Sequence, residues 1–297
     1  MSHRPAVAVA LEPALYVVST PIGNLGDITA RALEVLQAAD LIAAEDTRHS
    51  GQLLQHFAID TPMQAYHDHS DTNATERLLQ HVEQGRALAL ISDAGTPLIA
   101  DPGFRLVSRA RERGLKVVPV PGASAMVAAL SAAGLPTDRF IFEGFLPAKA
   151  AARHKQLASL AAEPRTLVFY ESPHRIAESV QAMAAAFGPQ RRAVLARELT
   201  KRFETLIADS LGNLSRRVAQ DKDQQRGEIV LVVAGLAREQ QQTAAQAQLQ
   251  RILPLLLGEL PLKQAVRLAA QITGLNKNAV YDRALQITNA QSTGDSA

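Results

Sequence analysis

The 297-residue sequence contains no cysteine. That excludes disulfides, zinc–thiolate sites, iron–sulfur clusters and thiol nucleophiles, and it suits a reducing compartment. Aromatic residues make up only 4%, too few for a long base-stacking groove. Neither sign of charge dominates: 31 basic residues stand against 29 acidic ones, for a net charge of +2, so a basic patch for a polyanion would have to be local. No apolar run reaches the roughly 18 residues of a membrane helix. The longest stretch, Val117–Leu135, is interrupted by Pro119, Pro121, Gly122 and Gly134. The phosphate-binding pattern G-x-x-x-x-G-K-[ST] is missing, as is any H-x-x-x-H pair for a metal. At the start, Ala6–Ala10 is apolar but short, and Glu12 and Pro13 follow it. It reads as a loose tail, with a signal-like start as the alternative.

What is present is an alternation of short apolar strands and helical patterns. Leu15–Val18 leads to Ile28, Ala32, Leu33 and Leu36 at helical spacing. Leu41–Ala44 precedes a helix over Ser50–Phe57, and Ala87–Ile91 and Lys116–Val120 are each followed by a turn and a helix. This rhythm predicts a parallel sheet covered on both faces. After a break near Leu135–Asp138 a second series begins: Phe140–Glu143, Thr166–Tyr170, Ala193–Ala196, Phe203–Ala208 and Glu228–Ala234. The last three leave little room for helices, which predicts a mixed, partly antiparallel sheet. Arg238–Gln250 is a linker or the solvated start of a helix. Leu262–Ile272 and Ala279–Ile287 are helical, joined by the turn TGLNKN. That arrangement fits a helix-turn-helix or a packing hairpin. The expected divisions are a tail at 1–13, an α/β domain at 14–135, a second at 136–237, a small helical domain at 238–288 and a tail at 289–297.

Four turns fall at the carboxyl ends of the first strands, where open α/β sheets hold ligands. They are TPIGNLGD, AEDTRHS, SDAGTPLIADPG and PGASA. A dinucleotide site predicts G-x-G-x-x-G with an acidic residue about 20 positions on. Here Gly23 and Gly26 have two residues between them and no third glycine follows, although Glu45 and Asp46 lie at the right distance. Any one turn is explained by backbone geometry alone; four on one sheet edge favour a cleft. Glu45, Asp46, Asp93 and Asp101 give it an acidic bias, which disfavours pyrophosphate and favours a ligand with positive charge or many hydroxyls.

The stretches TPIGNLGDIT, AAEDTRHS, SDAGTPLIADPG, LSAAGLPTDRF, EGFLPAK, FYESPHR, ARELTKRFET and GEIVLVV, in this order, resemble the tetrapyrrole methylase superfamily. The C-terminal LPLKQAVRLAA to KNAVYDRAL is similar to an added helical domain of one branch of it. The resemblance implies two α/β domains with S-adenosylmethionine bound between them. It implies methylation of the ribose 2′-oxygen of a cytidine in the decoding region of 16S ribosomal RNA, a cytoplasmic homodimer, and no metal. Carried over by position, the cofactor would touch Pro21, Ile22, Gly23 and Asn24, then Thr96 to Ile99, Ser124 and Ala125. Tyr170, Leu199, Gly227 and Glu228 would close over it, and Asp93 is an electrostatic addition.

A ribose hydroxyl profits from a general base within about 2.6–3.2 Å. Glu45, Asp46, His49 and Glu171 are candidates, with Glu45 and Asp46 also able to bond backbone amides or pair with Arg48. Lys201 is a base if its pKa is depressed, or otherwise a partner for a developing alkoxide. Arg48, Arg175, Lys201 and Arg202 are candidate RNA contacts, as are Lys263, Arg267, Lys277 and Arg283 in the last helices; each is also readable as a solvated charge. Tyr170 and Phe145 are single stacking partners, or pack against the cofactor or the core. His67 and His69 have ligand-like spacing but read as a polar loop. The rival functions are a tetrapyrrole or other small-molecule methylase, a nicotinamide-dependent oxidoreductase, and a non-enzymatic ribosome-associated ligand sensor.

Overall fold

The computed structural model describes residues 10–67 and 72–294. The apolar start at Ala6–Ala10 therefore lies, save Ala10, outside the described residues, as does His69.

The first sheet is built from β1 (Ala14–Val18), β2 (Leu41–Ala44), β3 (Met63–Ala65), β4 (Ala87–Ile91) and β5 (Val117–Val120). Their order is β3-β2-β4-β1-β5, and every pairing is parallel. The connecting helices are α1 (Ala30–Ala38), α2 (Thr47–His56), α3 (Thr72–Glu83) and α4 (Phe104–Glu112). Alternation along the strands sends side chains to two separate cores. Tyr16, Val18, Ile42, Ala89 and Ile91 meet Val35, Leu36 and Leu54 of α1 and α2. Leu15, Ala43, Leu88 and Leu90 meet Leu78, Leu79 and Leu106 of α3 and α4. All five residues of β4 are buried, which is why this strand is a continuous apolar run; each buried leucine contributes about 1.5–3 kcal/mol. β3 lies on an edge, is only half-buried and carries no apolar run, so it left no sequence signal.

The second sheet is mixed, as its crowded strands predicted. It contains β6 (Phe140–Phe145), β7 (Thr166–Glu171), β8 (Arg192–Arg197), β9 (Thr205–Ser210) and β10 (Ile229–Val233), in the order β6-β7-β10-β8-β9. Only β6 and β7 pair in parallel; the other pairings are antiparallel. β9 starts two residues later than the apolar pattern suggested, because Phe203 and Glu204 belong to the turn that leads into it. Helix α5 (Ala125–Ala132), assigned by sequence to the first domain, buries Ala129 and Leu130 against Val168, Val194, Val230 and Val232 of this second sheet. Ile22, from the loop after β1, joins the same cluster. The remaining helices here are α6 (Ala150–Leu160), α7 (Ile176–Phe187) and α8 (Leu211–Gln220), of which α7 and α8 pack on each other.

Both sheets form one compact unit, made of residues up to Ala158 together with Thr166–Ala234. A second unit joins Ser159–Arg165 to the chain from Gly235 onward. Its helices are α9 (Arg238–Glu259), α10 (Leu262–Thr273) and α11 (Lys277–Gly294). Leu249, Leu253, Val266, Ala269, Val280 and Ala284 make its core. The glutamine- and alanine-rich stretch is thus helical and not a linker. Helix α11 continues past Asn289 to Gly294, so most of the expected tail is helix.

Candidate active site

Strands β4, β1 and β5 are neighbours, so the loops leaving their carboxyl ends lie side by side. Helices α1 and α4 leave on opposite faces, the arrangement that opens a crevice at a sheet edge. Thr20 and Gly95 form an isolated antiparallel bridge, with N–H to O distances of 2.8 and 3.1 Å. The Ser19 and Thr96 hydroxyls lie 2.9 Å apart, and Thr96 Oγ1 donates to the Ala123 carbonyl at 3.0 Å. Three loops are thereby tied into one wall.

The first turn closes partly on itself. Asn24 Oδ1 accepts from Gly26 N at 3.0 Å and opens a 3-10 turn over Leu25–Asp27. Thr29 Oγ1 then caps α1 by accepting from Ala32 N at 3.1 Å. Gly23 has φ +133°, and a Cβ there would run into the Lys201 side chain. Glycine is needed at that position both for its backbone angle and for the close approach of the lysine.

Beyond this wall lies a cavity of about 340 Å³, within the range of small-molecule sites. The predicted residues Ile22, Thr96, Ile99, Ser124 and Ala125 line it from the first sheet's side and α5. Tyr170, Leu199, Gly227 and Glu228 line it from the second sheet, and so does Glu171. Pro21, Gly23, Asp93 and Lys201 do not; they line an adjoining cleft of about 360 Å³. Asn24 lines neither, because its side chain is spent on the turn. Phe145, read as packing against the cofactor or the core, lines the cavity too, and so do Asp101 and Ala94, which were absent from the predicted cofactor set. Asp101 stood in the sequence only as one of several loop carboxylates; nothing in the chain announced that it would be the one turned inward.

Burial pushes the Asp101 carboxyl up to about 6; a hydrogen bond from Ser92 opposes this, and the charges of Glu45 and Asp93 add to it. Burial likewise raises the Tyr170 phenol above its ordinary value, so near neutrality it is an uncharged hydroxyl. Its oxygen accepts from Met126 N at 3.1 Å, at the start of α5, and its ring packs edge-on against Phe142 and Phe145 at 4.8 and 5.7 Å. Phe145 is half exposed all the same.

The candidate bases separate clearly. Asp46 caps α2, accepting from Arg48 N at 2.8 Å, and pairs with the Arg48 guanidinium at 2.9 Å. The Arg48 bonds hold its carboxyl down at about 2. Glu171 is buried and accepts from Ser179 Oγ at 2.5 Å, from Ser172 N at 2.7 Å and from Arg175 at 2.9 Å. It serves as an anchor for the loop after β7. Glu45 Oε2 sits 3.5 Å from Asp93 N, and Asp93 Oδ1 accepts from Asp46 N at 3.0 Å. Lys201 does not meet the condition set for a base, a depressed pKa. Burial alone would lower its pKa, but Glu198 at 3.0 Å and Glu228 at 3.1 Å outweigh that and raise it. Lys201 stands as a fixed cation on the cleft wall. Glu198 in turn bonds the Glu228 amide at 2.9 Å and lies so close over Gly227, φ +76°, that a Cβ there would strike it.

Of the candidate RNA contacts, Arg48 is exposed though paired with Asp46. Arg175 is committed inward, to Glu171 and to the Leu146 carbonyl at 2.9 Å, so it is a weaker candidate than its position suggested. Arg202 is exposed, its guanidinium 5.5 Å from the centre of the exposed Phe203 ring. Lys263, Arg267, Lys277 and Arg283 are exposed on α10 and α11. His67 is exposed, and among the described residues no group of three metal-ligating side chains occurs.

The sequence profile of the tetrapyrrole (corrin/porphyrin) methylases matches residues 14–215, which cover the whole first sheet and β6 to β9 of the second. The chain belongs to the tetrapyrrole methylase family. A second profile, the RsmI C-terminal HTH domain, matches residues 243–288 of this tetrapyrrole methylase. Among its relatives, ribosomal RNA small subunit methyltransferase I of Pseudomonas aeruginosa is 57% identical over 272 residues, 92% of this chain and 96% of the relative. The protein of that name from Escherichia coli O157:H7 is 54% identical, covering 92% and 94%. Solved structures share the fold at low identity. A cobalt precorrin-4 methyltransferase matches with a TM-score of 0.56 at 16% identity, over 75% of this chain and 95% of the other. Uroporphyrin-III C-methyltransferase from Thermus thermophilus, solved with S-adenosylhomocysteine, matches with a TM-score of 0.51 at 19% identity, over 74% and 97%.

Proposed function

We propose that this tetrapyrrole methylase transfers a methyl group from S-adenosylmethionine to the ribose 2′-hydroxyl of a cytidine in 16S ribosomal RNA. The observation that carries the reading is the near full-length likeness, at 57% identity, to a protein named for that RNA, including the C-terminal module. Methylation of a tetrapyrrole has the broad family's name and distant fold neighbours behind it. The broken glycine pattern speaks against a nicotinamide enzyme.

The cavity residues fit the proposed cofactor chemically. Apolar walls from Ile22, Ile99, Leu199 and Val230 suit an adenosine, and the carboxylate of Asp101, with Glu45 and Asp93 behind it, suits a cation. When bound, S-adenosylmethionine supplies an electrophilic methyl group on a positively charged sulfur, ready for in-line displacement. The chain supplies position. Holding reactants about 3–3.5 Å apart in line accounts for much of the rate, and the tied loops give a rigid floor for that. Glu45, next after β2 and with its carboxylate beside the Asp93 amide of the cleft wall, is the residue assigned to accept the 2′-hydroxyl proton. Lys201 stabilises the negative charge that develops on the attacking oxygen. Exposed Arg48, Arg202, Lys277 and Arg283 meet phosphates. The substrate would place the protein in the cytoplasm with ribosomes, and a homodimer is its expected state. Among the described residues no helix is long and apolar enough to cross a membrane.

The test is methyl transfer from labelled S-adenosylmethionine to small ribosomal subunits of a strain lacking this gene, followed by nucleoside mapping. Label on the 2′-oxygen of a cytidine is the expected result. Label in a tetrapyrrole, and none in RNA, would overturn it.

A further inference from the structure

We propose that the cleft adjoining the cofactor cavity receives the target nucleoside, and that one face of helix α2 reads its base. This rests on the methyl-transfer reading above and extends it to the acceptor's seat.

The argument begins with a shared partition. The cavity and the cleft have Ile22, Ala94 and Glu228 in common, so a group lodged in the cleft is one side chain away from a donor in the cavity. In-line displacement requires this layout, with the two reactants in separate compartments that meet at one point. The cleft is about 360 Å³, enough for one nucleoside and too small for a duplex segment. Single-stranded RNA delivers such units readily, since its bases can splay out of the stack.

Its walls differ in chemistry. Lys201, held by Glu198 and Glu228, puts an ammonium among carboxylates at the end next to the cavity, a set of donors and acceptors suited to the ribose hydroxyls that would lie there. The far wall is α2. Residues His49, Gln52, Leu53 and His56 recur every three to four positions and all line the cleft, while Ser50 and Leu54 of the same helix are buried in the core. Core packing therefore fixes how α2 is rotated. His49, Gln52 and His56 are exposed polar side chains that no core demands. Imidazoles and a carboxamide each offer both donor and acceptor atoms, the set needed along a pyrimidine edge. Leu53 between them supplies an apolar patch for the flat of the ring.

The test uses the full chain with small ribosomal subunits lacking the modification. Wild-type transfer is measured first; its absence would sink the methyl-transfer reading itself, independently of the cleft. With active wild type, Gln52→Ala and His56→Ala are expected to raise the KM for subunits about tenfold each, the worth of a hydrogen bond or two. The dissociation constant for S-adenosylmethionine by calorimetry should stay within about twofold of wild type, which also reports an intact fold. Gln55→Ala, exposed on α2 but outside the cleft, is the control and should leave KM unchanged. Leu53→Trp, which fills the cleft, should abolish transfer while cofactor still binds. Unchanged KM in both alanine variants, or full transfer by Leu53→Trp, overturns the proposal.

Discussion

The ammonium of Lys201 stands 3.0 Å from Glu198 Oε1, and its side chain lies against the backbone of Gly23 in the first loop. One lysine from the second sheet is thus held by a carboxylate of its own turn and rests on the floor of the first. Its charge is fixed beside the shared partition of cavity and cleft. Lys201→Ala is expected to lower kcat by about 10²-fold, in the range seen for loss of one donor to a developing oxyanion, with cofactor affinity nearly unchanged. Gly23→Ala, which displaces the lysine and strains a φ of +133°, should reproduce part of that loss. Single-turnover kinetics check both.

Asp101 gives the cavity a pH dependence. Its folded-state value is raised to about 6, so its contribution to stability is full below the ordinary carboxylate range and is lost as pH rises through 6. Asp101→Asn should therefore raise Tm at pH 7 to 8 and leave it unchanged near pH 4. A sulfonium ion favours the ionised carboxylate. Affinity for S-adenosylmethionine should weaken as pH falls below 6, affinity for S-adenosylhomocysteine, which lacks the sulfonium charge, should not, and Asp101→Asn should flatten the difference. Calorimetry at four or five pH values decides it.

The two adjacent carboxylates Glu45 and Asp46 should behave oppositely. Glu45→Gln is expected to lower turnover at saturating RNA and cofactor, and unchanged turnover would remove it as the base. Asp46→Asn is expected to keep turnover and lower Tm, because that side chain caps α2 and pairs with Arg48. With its carboxyl held at about 2, the Asp46 contribution is present above the ordinary value and is lost as pH falls through 2. Arg48→Ala should shift the Asp46 titration upward, which NMR can follow.

Tyr170→Phe removes the acceptor for the Met126 amide but keeps the ring against Phe142 and Phe145. A loss of about 0.5–1.5 kcal/mol in unfolding free energy is expected. Chemical denaturation measures it.

Charge reversal at Lys277 and Arg283, exposed on α11, should weaken binding of ribosomal subunits. Each lost phosphate contact should flatten the slope of log affinity against log salt by about one. An unchanged slope would assign these helices to another role.

Much of this was legible in the chain. The buried strands announced themselves because β4 and β10 are apolar on both faces, and the crowding of the last strands gave away the antiparallel pairs. The tetrapyrrole methylase motifs located the loops that line the cavity. What could not be read were relations between distant residues. Lys201 looked like a possible base until Glu228, far along the chain, proved to be its partner. Pro21 and Gly23 share a loop with Ile22, yet only Ile22 turns into the cavity. The inward rotation of Asp101 depends on a loop whose backbone no propensity favours.

That loop and its counterpart carry a cost. Leu98 and Ala100 beside the cavity, and Glu198 and Thr200 beside Lys201, hold left-handed φ values of 75°, 67°, 52° and 67° without being glycine. Each such conformation costs of order 1 kcal/mol or more. Selection for heat resistance alone would be drawn to these four positions, putting glycine or asparagine there. The hardened proteins it produced would be the ones whose cavity walls had gone slack.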